Sequence, residues 1–397
     1  MISGRHGARR RWYGLLIGCG LAVIAGIAGA GAGVAIAQRS AASPGSGNLG
    51  GELRELVAMP GGPPGAIAIV QRPGSTTVYR AGVSDVSSRA PMGVNQYMRL
   101  ANVSKAFSGA VALALVDCHV LSLSDTISKW LPSLPRSWGP VTLAQALNHT
   151  SGLPDFTDSP GFIEYLKAHP HATPSPAFVL HFVAHERPSF TPGTRYRYSN
   201  TDNFVVALMA EAASGRDYDA LLASKVYSAL HLRYTSLPEG PKLPAPYMRG
   251  YDLAPPKPPD DVSTILSAAY SWASGGLVST PADLGRFIRG YVGARLFSRA
   301  VQAEQLRFVR GDSGPPGPGQ NFAGLAIFRY RTRCGTVYGH TGNTFGYTQF
   351  TASTLDGRRS VVVSVNAQLN DASPPPLLAA FRFLRKLEED AVCSALR

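Results

Sequence analysis

From Gln320 onward the chain runs through four strand-like segments with no helix between them, a succession that restricts the fold more than any other feature. Phe322–Arg331, Gly335–His340, Tyr347–Ala352 and Ser360–Val365 are separated by three to seven residues. Connections that short cannot make the crossover that joins parallel neighbours, so an antiparallel sheet is predicted. A helix from Pro375 to Glu389 closes the chain. At the other end, Gly51–Met59 reads as a short helix. Ala66–Gln71 and Thr76–Gly82 read as two strands joined by the turn Arg72-Pro73-Gly74-Ser75. Two early strands, a long helical middle, a sheet and a last helix define an α+β chain: an antiparallel sheet flanked by helices, with an inserted all-helical lobe.

The middle opens with Val103–Leu121, where Val103, Phe107, Val111 and Leu115 recur at helical spacing among small and apolar neighbours. Such a segment is predicted to be a buried helix, yet it carries Lys105, whose unpaired charge would be costly there. Further helices are predicted at Leu143–Asn148, Pro176–Glu186, Phe204–Ala213 and Ala220–Leu230, and one starts at Thr280-Pro281, with Thr as cap and Pro in the first turn. The proline-rich stretches Ala254–Pro259 and Gly314–Gly319 read as surface loops.

Arg9-Arg10-Arg11 precede Leu15–Ala37, which carries no charge and ends in the small-x-small pattern Ala35-Ile36-Ala37. This is the pattern of an export signal or an uncleaved anchor. Residues 1–50 are therefore read as leader and linker, and 51–392 as one domain with its helical lobe over about 103–270. The expected location is the periplasm or cell exterior, or the outer face of the cytoplasmic membrane. Membrane contact is expected only through that N-terminal segment. The net charge of +13 is spread along the chain without a basic block, so no nucleic-acid partner is expected. The histidines are scattered and the four cysteines lack zinc spacing, so neither metal nor cofactor is predicted.

Three short motifs carry the chemistry. Asn102-Val103-Ser104-Lys105 reads as a serine-x-x-lysine nucleophile motif with its first residue changed; Tyr198-Ser199-Asn200 and His340-Thr341-Gly342 follow in order. With the phrases Leu147-Asn148-His149-Thr150-Ser151-Gly152-Leu153-Pro154, Pro192–Asn200 and Gly275–Thr280, the chain resembles the serine β-lactamase and DD-peptidase superfamily. The resemblance is to the class C-like branch, which includes D-alanyl-D-alanine carboxypeptidases and esterases, and it spans Leu53 to Leu387. It implies a β-lactamase-like fold and an acyl-enzyme chemistry in which Lys105 is the base and Tyr198 the proton relay. Asn200 would bind substrate, His340-Thr341-Gly342 would be the substrate-docking strand, and the backbone N–H groups of Asn102 and Asn343 would bind the oxyanion. The implied ligand is a small molecule or a peptidoglycan peptide.

Asn102 departs from that pattern. A carboxamide has no hydroxyl to acylate, although asparagine is a good helix cap and would preserve the helix start. The chain is thus expected to be catalytically impaired, with retained binding of D-Ala-D-Ala-type or acylated ligands. The alternative is an active serine-type hydrolase using a displaced hydroxyl, for which Ser104, Ser108 and Thr341 are the candidates. Asp117-Cys118-His119-Val120 also departs, standing where this branch usually has a glycine after the helix. In this fold the last helix lies against the sheet, which implies a disulfide between Cys334 and Cys393 and leaves Cys118 as a buried thiol.

Overall fold

The structure, a computed structural model, describes residues 48–397. The leader expected at residues 1–50 lies, up to residue 47, outside the described residues. Helix α1 (Leu49–Ala58) leads into strands β1 (Gly65–Arg72), β2 (Ser75–Asp85) and β3 (Ala90–Pro91). The second half of the chain adds β4 (Val309–Arg310), β5 (Gln320–Gly324), β6 (Ile327–Thr332), β7 (Gly335–Thr344), β8 (Tyr347–Ser353) and β9 (Ser360–Val365). These nine strands form one sheet in the order β3-β2-β1-β9-β8-β7-β6-β5-β4, with every pair antiparallel. The N-terminal hairpin is closed by β1 pairing with β9, Ile69 opposite Val362.

Alternation along β1 divides its side chains between two cores. Ile67 and Ile69 pack into the core shared with the helical middle. Ala66, Ala68 and Val70 face α1 and the last helix, α5 (Leu377–Leu396). The helical middle contributes α2 (Ser104–Asp117), α3 (Asn200–Ser214) and α4 (Pro281–Val292), the last capped by Thr280 Oγ1 accepting from Asp283 N at 3.2 Å. Helix α2 is buried from Ser104 to Leu115, and its Phe107 ring stacks on Phe287 with centroids 3.6 Å apart. Among the described residues no helix is long and apolar enough to cross a membrane.

Four expectations need correction. The segment read as one strand, Phe322–Arg331, is the hairpin β5–β6. Its turn is fixed by tertiary bonds: Ala326 N donates to Leu147 O at 2.7 Å, and Tyr291 Oη donates to Ala326 O at 3.1 Å, holding Ala326 at φ 53°. Helix α2 stops at Asp117 rather than Leu121, because His119 adopts a left-handed φ of 57°, the conformation that favours glycine. The stretch Gly314–Gly319 is not a surface loop, since Pro315, Gly317 and Pro318 are buried. Finally, Cys118 is not a free thiol.

Cys334 and Cys393 do form a disulfide, with Cα atoms 5.2 Å apart, tying the start of β7 to the end of α5. The bond spans 59 residues, a length for which loop-closure entropy contributes about 4 kcal/mol. The double variant C334A/C393A is expected to lose about that much in urea denaturation. An unchanged midpoint would show that the sheet and α5 hold this end of the chain without the bond.

Candidate active site

The site begins with a strained turn. Ala101, a non-glycine residue, sits at φ 51°, which costs about 1–2 kcal/mol, and it opens the 3₁₀ turn Ala101–Val103 ahead of α2. The turn lies against β7 so closely that a Cβ at Gly342 would collide with the Leu100 carbonyl. Gly342 is therefore required by this approach. Asn102 does not cap the helix as expected. The residues flanking the 3₁₀ turn and α2 cap with no side chain, and Asn102 Nδ2 instead donates 2.5 Å to the carbonyl of Gly314. The carboxamide is thus bonded across to Gly314 rather than back to an N–H of the helix.

One turn further on, Lys105 is fully buried. Its amine donates to Asn200 Oδ1 at 2.7 Å and to the Ser274 carbonyl at 2.9 Å, and it stands 3.5 Å from Asn102 Oδ1. Burial pushes its pKa down to about 7, against the opposing pull of Asp155 and Asp202. Near neutral pH this lysine is therefore divided between ammonium and free amine.

Tyr198 and Asn200 arrive at the same amine from the start of α3. Lys105 Nζ is 5.0 Å from the centroid of the Tyr198 ring. The Tyr198 hydroxyl is buried with no hydrogen-bond partner, and burial raises its pKa well above the usual value. Asn200 is oriented by Asp155, whose carboxylate accepts from Asn200 N at 2.9 Å and from Nδ2 at 3.0 Å. With its N–H₂ end engaged there, the amide presents Oδ1 to the lysine. Below it, His149 Nδ1 lies 2.8 Å from Asp202 Oδ2, and Ser151 Oγ donates to the other oxygen at 2.5 Å. Desolvation holds His149 down to about 3, so its ring is neutral, and raises the pKa of Asp202. The tilted His149 ring packs on Tyr198, centroids 4.5 Å apart.

The third motif forms the middle of β7. His340 and Thr341 are wholly buried. His340 Nδ1 donates 2.5 Å to the Thr341 carbonyl, its Nε2 has no partner, and burial lowers its pKa to about 3, leaving a neutral ring. Thr341 Oγ1 donates to Pro315 O at 2.6 Å. Asn343 pairs with Thr348 across β8, and its Nδ2 is fixed by Thr348 Oγ1 at 2.9 Å and Leu369 O at 2.7 Å.

The turn at Asn102, Lys105, Tyr198, Asn200 and the Thr341-Gly342 step thus meet in one place. Asp155, Asp202 and Gly314 join them without having been read from the sequence. The signal for Asp155 was its position right after Gly152-Leu153-Pro154, and for Asp202 its place in the first turn of α3. Nothing local marked Gly314. The alternative hydroxyls are all committed: Ser104 Oγ accepts from Leu277 N at 3.2 Å, Ser108 Oγ donates to Lys105 O at 3.0 Å, and Thr341 is bound to Pro315. No hydroxyl is among the partners of the Lys105 amine.

An antiparallel sheet edged by a buried lysine helix, a tyrosine–asparagine helix start and a His-Thr-Gly strand is the architecture of a β-lactamase-like serine hydrolase. Residues 53–380 match the Beta-lactamase family, and the chain belongs to it. It is similar to penicillin-binding protein 4* of Bacillus subtilis, 23% identical over 72% of this chain and 64% of that protein. It is also similar to the D-alanyl-D-alanine-carboxypeptidase/endopeptidase AmpH of Escherichia coli, 24% identical over 61% of each. The chain therefore spans less than two thirds of the length of these relatives. Among solved structures, a D-stereospecific amidohydrolase from Streptomyces sp. aligns with a TM-score of 0.71 and 28% identity, covering 81% of this chain and 94% of that one. The D-amino acid amidase of Ochrobactrum anthropi SV3 shares the fold, with a TM-score of 0.75 and 22% identity over 86% and 97% of the two chains.

Proposed function

We propose that this chain is an exported, catalytically impaired member of the family that keeps the cleft as a binding site for D-Ala-D-Ala-type or other acylated ligands. The observation that carries the reading is Asn102: its carboxamide, not a hydroxyl, occupies the position facing the Lys105 amine, with Oδ1 3.5 Å away. An amide oxygen cannot form the acyl-ester that this chemistry passes through. Lys105 retains the lowered pKa of a base, Tyr198 the position of a proton relay, and Asn200 the oriented amide of a substrate ligand. Thr341, Gly342 and Asn343 form the docking strand, with His340 buried beneath it. Export rests on the charged and apolar sequence of residues 1–37. Against a displaced nucleophile stand the engagements of Ser104, Ser108 and Thr341 described above.

Exposure of the purified chain to a fluorescent penicillin and to a fluorophosphonate is expected to leave no covalent label on a denaturing gel. Labelling, located by peptide mass mapping, would identify a working nucleophile and overturn the reading.

A further inference from the structure

The segment Gly311–Gly319 runs across the cleft and is held from both sides. Tyr196 Oη donates to the Asp312 carbonyl, and Tyr330 Oη donates to Ser313 Oγ at 3.1 Å, which in turn donates to Pro315 O at 3.0 Å. Arg385 Nη1 donates to Pro316 O at 2.5 Å. Asn321 braces the far end, accepting from Gly317 N at 2.8 Å and donating to the carbonyls of Gly317 and Gly319 at 3.1 Å each. Between these anchors, two successive carbonyls turn into the site: Gly314 O accepts from Asn102 Nδ2 and Pro315 O from Thr341 Oγ1. Pro315, Pro316 and Pro318 have no N–H, and Gly314 has no side chain. What the segment offers the cleft is acceptor oxygen and little else.

We propose that Gly311–Gly319 is a strap that closes the cleft by serving as its ligand, and that an incoming ligand must displace it by offering two acceptor oxygens of its own. The site donors fix the ligand class: an extended acyl peptide or ester presenting a carbonyl to Asn102 and a carbonyl or carboxylate to Thr341. This ligand class rests on the binding function proposed above, whereas the closure rests on the anchors alone. Every ligand affinity is reduced by the fraction of molecules whose strap is open.

Closure is tested without a ligand by Thr341→Cys, because Thr341 is wholly buried and its hydroxyl points at the strap. The T341C chain is treated with a bulky maleimide, alone and combined with Asn321→Ala or with Tyr196→Phe, circular dichroism checking each fold. The T341C chain itself, which gives up the Thr341 bond to Pro315 O but keeps every other anchor, is expected to react slowly. N321A, which removes four bonds to the strap, should speed labelling at least about tenfold, and the milder Y196F about fivefold. Labelling of the T341C chain, with its other anchors in place, at the rate of the urea-unfolded protein would overturn the proposal. So would equal slow rates in all three folded chains. Failure of one loosened variant to fold leaves the other to decide. Absence of peptide binding to a freely labelled N321A chain would instead count against the binding function.

Discussion

Asn102→Ser is expected to give this chain measurable hydrolysis of a chromogenic cephalosporin or of p-nitrophenyl acetate, at least about a thousandfold above the wild type. The magnitude follows from the reverse experiment: removing the nucleophile of a serine protease costs on the order of a million-fold in turnover. A serine at this position would lie beside an amine whose pKa of about 7 suits it to take a proton at neutral pH. The tyrosine ring and the oriented Asn200 amide already surround that amine. The same substitution removes the amide N–H that holds the Gly314 carbonyl, so it should also loosen the strap. The gain is set below the full million because the strap keeps its other anchors. Asn102→Ala serves as the blank, since it loosens the strap equally and supplies no nucleophile. Rates for Asn102→Ser no higher than for Asn102→Ala in a folded protein would show that more than the nucleophile has been lost.

How much of this was legible beforehand depended on whether the information was local. Strand alternation and short connections marked the antiparallel sheet, because both are read within a few residues. The three motifs were equally plain, as each combines chemically distinctive side chains at fixed spacing. The sequence was misleading wherever a tertiary partner overrode the local signal. Phe322–Arg331 is apolar enough for one strand, yet a backbone bond from Ala326 N to the Leu147 carbonyl and a bond from the Tyr291 hydroxyl to the Ala326 carbonyl fold it at Ala326. Asparagine at a helix start suggests a cap, but the strained Ala101 aims Asn102 at a carbonyl 212 residues away. Gly314–Gly319 has the composition of an exposed loop. Its Pro315, Gly317 and Pro318 are buried because Tyr196, Tyr330, Asn321, Thr341 and Arg385 each claim one of its polar groups or a neighbour's. None of those pairings leaves a trace in the segment itself.

Lys105→Met provides the second large effect, and it separates the stability cost of the lysine from its chemical use. The folded-state pKa of about 7 lies below the unfolded value of 10.5, so the unfolded chain binds more protons between those limits. Wild-type stability is therefore expected to rise with pH across that window, and the full cost of burying the charge is felt below about pH 7. That cost is on the order of a few kcal/mol, one pKa unit corresponding to about 1.4 kcal/mol. Methionine keeps most of the volume and removes the charge. It leaves Asn200 Oδ1 and the Ser274 carbonyl without the donor, an offsetting loss of about 1–3 kcal/mol for each acceptor. The stability of K105M relative to wild type should thus be most favourable at pH 6 and decline steadily toward pH 10, as followed by urea denaturation. His149 and Tyr198 titrate outside this range, held low and high by burial. Asp202 is coupled to the amine, so the comparison is repeated in the D202N background. A difference independent of pH would mean that Lys105 keeps an ordinary pKa in the folded chain. In the N102S chain, by contrast, K105M should lower hydrolysis by about a hundredfold to ten-thousandfold, the usual contribution of a general base. A residue that weakens the fold below pH 7 yet speeds hydrolysis once a serine stands at position 102 would mark the cleft as built for acyl transfer.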